Sequence, residues 1–266
     1  MTGVRMKTWL ATAALFLSLS ANAYEAEDYV IAKPGSMPII LTVPHDGADF
    51  VPGVFNRSGG VTVRDERTRE LAESTADLIE KKTGKRPYLV IAKFSRKQID
   101  ANRAEEDAVE APEALAAYRA YHAHVATYIA AIKEASPAGG LLIDVHGQGE
   151  LPNTILLGTR NGLSVKSLLA RYGATALYGP QSILGILQGN GFAVFPDTEG
   201  VKEDPRYRGG NTVFAYGSHM PEGIDAIQLE FGRGPRYSGK TAEAFANAIL
   251  TFEASYLDAM KLEPPK

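Results

Sequence analysis

Two histidines stand just past apolar segments: His45 in "IILTVPHDG" and His146 in "LLIDVHGQG". Each is followed closely by glycine, and two imidazoles at strand ends can converge on one ion. Zinc is commonly held by two histidines and one carboxylate, with a fourth position left for water. Asp65 and Glu66, adjacent in "TVRDERTRELA", are the available carboxylates. The residues alone leave the choice between them open, because an acid at a helix start also serves as a cap. Asp144 lies two residues before His146, on the same face of a strand. It is suited to orient a ligand imidazole from behind. Glu230, in "AIQLEFGR", shares a strand face with Gln228, opposite Ile227, Leu229 and Phe231. A carboxylate on an interior strand is costly unless paired or functional. The expected role is a general base toward the attacking water, the alternative being an ion pair with Arg233 or Arg236. "FSRKQIDANR" gathers Arg96, Asp100, Asn102 and Arg103. Arginine forks match carboxylates, so the cluster suits an acidic substrate. Arg96 or Arg103 could instead stabilise an oxyanion. His122 falls on a helical apolar stripe and is expected in the core. His124 points away from that stripe, and His219 lies in a Gly/Pro loop.

These side chains need a scaffold that brings distant segments together. Residues 37–45, 87–92, 140–146, 153–158 and 225–231 read as strands, being short, rich in Val, Ile and Leu, and bounded by Gly, Pro or Asp. Leu71, Thr75, Leu78 and Ile79 mark one helix. Leu115, Tyr118, His122, Val125, Ile129 and Ile132 mark a longer one, and Phe245, Ile249, Phe252 and Tyr256 a third. Strand–helix alternation predicts an α/β fold: a mixed, largely parallel sheet with helices on both faces. Ligands of such sheets bind at the carboxyl ends of the strands, where both histidines are expected.

The N-terminus reads as a secretory signal peptide: basic Arg5 and Lys7, an apolar stretch from Thr8 to Ser20, and Ala21-Asn22-Ala23 as the cleavage site. Cleavage after Ala23 leaves residues 24–266 as one catalytic α/β domain, periplasmic or secreted. No later segment offers a membrane span. The 266 residues carry a formal net charge of −3 and no cysteine. The charge gives no footprint for nucleic acid, and thiolate metal sites and disulfides are excluded.

The assembled blocks resemble the N-formylglutamate amidohydrolase family, whose fold is similar to the zinc carboxypeptidases (phosphorylase/hydrolase-like). "VPHDG", "RDERTRELA", "SRKQIDANR", "AYRAYH", "LIDVHGQG", "LLGTRNGLS" and "IQLEFGR" occur in family order along residues 43–233. The resemblance implies one zinc per chain, held by His45, an acidic residue and His146, with Glu230 as catalytic carboxylate. Thr68 and Leu71 fit the family spacing from Asp65, which selects it over Glu66. It also points to Asn102 and Arg103 as the carboxylate binders; beside it, Arg96 is expected as the oxyanion partner and Arg233 as a further substrate contact. The implied substrate is an N-acyl amino acid or small peptide bearing a carboxylate. A metallo-carboxypeptidase acting on cell-wall peptides, and a non-catalytic carboxylate-binding protein on the same fold, are the alternatives. Asp46 and Gly147 depart from the small residue and the serine that the family usually has there.

Overall fold

The computed structural model describes residues 24–137 and 139–258, so the leader expected at 1–23 lies outside the described residues. Seven strands form one sheet: β1 (Val30–Lys33), β2 (Ile39–Val43), β3 (Tyr88–Ala92), β4 (Leu141–Gly147), β5 (Thr154–Gly158), β6 (Ala193–Phe195) and β7 (Asp225–Phe231). Their order is β1-β3-β2-β4-β7-β5-β6. The central strands β3, β2, β4 and β7 are parallel, while β1 and β5 run against β3 and β7. The five strands read from sequence are all present, with ends shifted by a residue or two. β1 and β6 were not expected. Each is an edge strand of three or four residues, too short to stand out as an apolar run, and pairing with its neighbour defines it.

Two apolar layers cover the sheet. On one face Leu41, Val43, Ile143, Val145, Leu229 and Phe231 meet Leu71 and Ile79 of the helix Thr68–Thr83 and Phe245 and Ile249 of the helix Thr241–Phe252. On the other, Ile40, Leu142 and Ala226 meet Tyr121, Val125 and Ile129 of the helix Leu115–Ala135. Full burial of each large apolar side chain contributes about 1.5–3 kcal/mol. The period-two alternation of a strand carries this into function. The first face stays apolar to the strand ends. The second turns polar there, because Thr42, Asp144, His146, Gln228 and Glu230 continue the rows begun by Ile40, Leu142 and Ala226. Register places Asp144 beside Thr42 and Gln228, and His146 beside Glu230. Pro44 ends β2, since it has no N–H for the ladder, and His45 follows immediately.

His122 is part-buried on the core side of its helix, packed against Tyr118 and Tyr121. Its Nδ1 lies 2.8 Å from the Tyr216 hydroxyl and its Nε2 3.1 Å from the Ala101 carbonyl. Burial pushes its pKa down to about 4. The unfolded chain, with His near 6.5, therefore binds a proton that the folded chain refuses between these values. Stability is fully present above about pH 6.5 and is lost as pH falls toward 4. His122→Gln is expected to remove about 2–3 kcal/mol of the wild-type loss between pH 7 and pH 4.5, measured by urea unfolding. Parallel acid limbs in the two proteins would refute this. No helix among the described residues is long and apolar enough to cross a membrane.

Candidate active site

Three ligand-type atoms meet at the carboxyl end of the sheet. His45 Nδ1 and His146 Nδ1 are 3.1 Å apart, and Asp65 Oδ2 lies 3.2 Å from His146 Nδ1 and 3.4 Å from His45 Nδ1. All three residues are buried. The outer ring nitrogens are held by carboxylates: His45 Nε2 is 2.6 Å from Asp100 Oδ1, and His146 Nε2 is 2.7 Å from Asp144 Oδ2. Asp144 is itself fixed by the Thr42 hydroxyl, 2.6 Å from Oδ1.

The tautomers follow from these partners. A carboxylate at each Nε2 draws the ring proton to that nitrogen, which leaves both Nδ1 lone pairs facing each other and Asp65. Three acceptors then converge with no hydrogen among them, an arrangement that a cation satisfies. Bonds of about 2.0–2.2 Å at tetrahedral angles separate neighbouring ligand atoms by roughly 3.3 Å, close to the observed edges. The donor set therefore fits a metal ion of the zinc type. When ring protons take the place of the cation, they couple the same three groups. Burial acts to raise the Asp65 carboxyl, but hydrogen bonds from His146 and His45 outweigh it and hold it below the usual range. Burial acts to lower His146, yet Asp144 and Asp65 carry it well above its ordinary value. The site attracts positive charge.

Asp65, not Glu66, faces the histidines. Its backbone carbonyl accepts from the Thr68 amide and hydroxyl at the helix start, and its carboxylate turns inward to accept from the Gly147 amide at 3.1 Å. Glu66 instead accepts from the Tyr237 hydroxyl at 3.2 Å. Asp46 serves the helix start in place of Asp65: Oδ2 accepts from the Arg69 amide at 2.8 Å and Oδ1 from Arg64 Nε at 2.7 Å. That satisfies one of the orphan amides of the first turn. Gly147 also has a local reason, since a Cβ there would lie 2.6 Å from Arg236 Nη1.

A cleft of about 630 Å³ opens over this centre. Glu230 lines it, with Gln228 Nε2 donating to its Oε1 at 2.8 Å. Burial pushes the Glu230 pKa up to about 7, against the opposing pull of the histidines and Arg96. Arg96 reaches Asp65 Oδ1 at 3.4 Å and Asp100 Oδ2 at 3.3 Å. Arg103 Nε donates to Asp100 at 3.2 Å, and Asn102 Nδ2 donates to Gln228 at 3.2 Å. Arg96, Asn102 and Arg103 all line the cleft. Arg233 does not. It is exposed, with its guanidinium 5.4 Å from the Tyr237 ring centre, so the substrate contact expected of it lies outside this cleft lining. Arg236 stands in the cleft wall instead, bonded to the carbonyls of Glu66 (2.6 Å) and Gln148 (3.1 Å).

Asp100 is the residue of this centre that sequence reading left without a role. It sat visibly in "SRKQIDANR", but only the fold brings His45, 55 positions away, to its carboxylate. Arg206 and Tyr207, also in the cleft, carried no signal because they lie in an irregular segment.

No family model and no curated protein matches this chain. Solved structures do. An N-formylglutamate amidohydrolase from Ralstonia eutropha JMP134 is similar at TM-score 0.57 and 16% identity, covering 86% of this chain and 98% of that one. A gene product from Agrobacterium tumefaciens is similar at TM-score 0.54 and 15% identity, covering 88% and 95%. Identities this low speak to architecture alone: the chain has an α/β fold of the N-formylglutamate amidohydrolase kind, with a His-Asp-His centre able to hold a metal at the carboxyl end of its sheet.

Proposed function

We propose that this chain is an exported zinc-dependent amidohydrolase, a distant relative of the N-formylglutamate amidohydrolases. Its substrate is an N-acyl amino acid or small peptide with a free carboxylate. The observation that carries this reading is the triangle of Nδ1, Nδ1 and Oδ2 with each imidazole backed by its own carboxylate. Residues 24–266 act as one catalytic domain after removal of the leader, in the periplasm or outside the cell. His45, Asp65 and His146 hold one zinc. When bound, the ion supplies an acidified water and polarises the substrate carbonyl. Glu230 takes the water's proton on its carboxylate and returns it to the departing amine. Arg96 faces the developing oxyanion. Arg103 and Asn102 anchor the substrate carboxylate, which orients the amide over Glu230. The fold shared with an amidohydrolase supports amide hydrolysis as the reaction.

Metal content and hydrolysis, measured together, test the reading. The purified protein is expected to hold about one zinc per chain and to lose it in His146→Ala. Acyl amino acids with a free carboxylate are expected to turn over at least about tenfold better in kcat/KM than their carboxamides. A protein that takes up no metal from supplied zinc would overturn the hydrolase and leave a carboxylate-binding protein on this fold.

A further inference from the structure

The "GTRNG" stretch at 158–162 lies within a conspicuous sequence block, yet none of these residues lines the cleft. Its backbone is unusual. Arg160 and Asn161 both adopt φ of +55°, followed by Gly162 at +90°. Successive non-glycine residues in the left-handed region are uncommon and strained. Such a turn aims neighbouring amides at one point and forms a concavity suited to an anion. The anion is supplied by the chain itself. Glu203 is 5% exposed. Its Oε1 accepts from the Thr159 amide at 2.9 Å and from the Thr159 hydroxyl, and its Oε2 accepts from the Asn161 amide at 2.8 Å. Asn161 Oδ1 returns the contact, accepting from the Glu203 amide at 3.3 Å.

Glu203 belongs to a strap of irregular chain, 196–210, running from β6 to the helix Asn211–Tyr216. The strap returns to the sheet beyond this anchor. Arg208 O accepts from the Arg160 amide at 2.6 Å, and the Gly210 amide donates to Gln228 Oε1 at 2.8 Å. Arg206, Tyr207, Gly209 and Gly210 of the strap form one wall of the cleft. Arg206 also pairs with Glu150 of the β4–β5 loop, another cleft residue, and with Asp204.

From this geometry we infer that Glu203 is a positioning residue: seated in the 159–161 turn, it holds the strap so that Arg206 and Tyr207 face the substrate. The strained turn is kept because it makes the seat. Glu203 touches no reacting atom, and its influence on turnover passes through the strap. That influence rests on the hydrolase reading, whereas the position of the strap does not.

Limited trypsin digestion of the metal-loaded full chain separates the two. The strap carries Lys202, Arg206 and Arg208. Glu203→Gln keeps the shape but loses the charge and one acceptor oxygen. It is expected to be cut at Arg206 and Arg208 at least about tenfold faster than wild type, with metal content unchanged; Lys202 is left out because the substitution alters its own scissile bond. The exposed neighbour Glu199, as Glu199→Gln, should digest like wild type. On a carboxylate-bearing amide, Glu203→Gln should lose roughly 10–100-fold in kcat/KM, mainly through KM. Arg206→Ala, at an exposed position that a folded chain tolerates, removes one trypsin site and should reproduce the KM rise without faster cutting at Arg208. Digestion of Glu203→Gln at the wild-type rate would overturn the inference. So would cutting throughout the chain with loss of metal, since Glu203 would then support the whole fold. Faster strap cutting in a protein that hydrolyses nothing would uphold the anchor and refute the hydrolase.

Discussion

Glu230→Gln is expected to lower turnover by about 10²–10⁴-fold while the protein keeps its zinc. The substitution preserves volume and removes only the capacity to accept and return a proton. Glu230 is outside the His45–Asp65–His146 group, so metal binding does not need it. The role proposed for it has a physical source. Burial at the end of β7 disfavours the charged form and pushes the pKa up to about 7, which matches a proton carrier working near neutrality. Gln228 donates to Oε1, which orients the carboxylate and leaves the second oxygen for the water. Zinc content and kcat measured on one sample decide the matter. Full metal with undiminished kcat would exclude Glu230 as the base, and lost metal would make it part of the ion's support.

Asp100→Asn and Asp144→Asn are each expected to weaken zinc binding by about 10–100-fold, equivalent to roughly 1.4–2.7 kcal/mol. Each carboxylate accepts from a ligand imidazole and thereby fixes the tautomer that turns Nδ1 toward the ion. An amide in its place can offer an N–H to Nε2 and favour the wrong tautomer. The two variants should differ in substrate binding. Asp144 sits behind His146 with Thr42 as its other partner, so its effect should stop at the metal. Asp100 also receives Arg96 and Arg103, and its neutralisation frees two cleft guanidiniums and should change KM as well. Competition with a chelator of known affinity gives the metal term. Unchanged affinity in both variants would mean that the outer carboxylates play no part in the centre.

Much of this was legible in one dimension because the signals are local. The apolar runs around Leu41, Ile143 and Leu229 announce buried strands. Asp144 and His146 share a face by the two-residue period, as do Gln228 and Glu230. His45 and His146 could be singled out as candidate ligands because each imidazole follows an apolar run at a strand end. The family resemblance then chose Asp65 over Glu66, a choice that periodicity could not make.

What stayed hidden depends on contacts between segments far apart in the chain. Asp46 looked like a disturbance beside the metal, yet it caps the helix beginning at Thr68 through the Arg69 amide and so spares Asp65 for the centre. Arg233 and Arg236 are indistinguishable as letters, and only the turn after β7 sends one to solvent and the other into the cleft. Asp100 acquires its role because the parallel pairing of β2 with β3 brings the segments beyond both strands, carrying His45 and Asp100, to the same edge of the sheet. Glu203 meets Thr159 and Asn161 across more than forty residues of chain. By itself the sequence determined which residue types stand at strand ends, and hence the class of chemistry available. Tertiary structure decided which carboxylate faces which imidazole and which arginine enters the cleft, because hydrogen bonds and charge act over a few ångströms in space, whatever the distance along the chain.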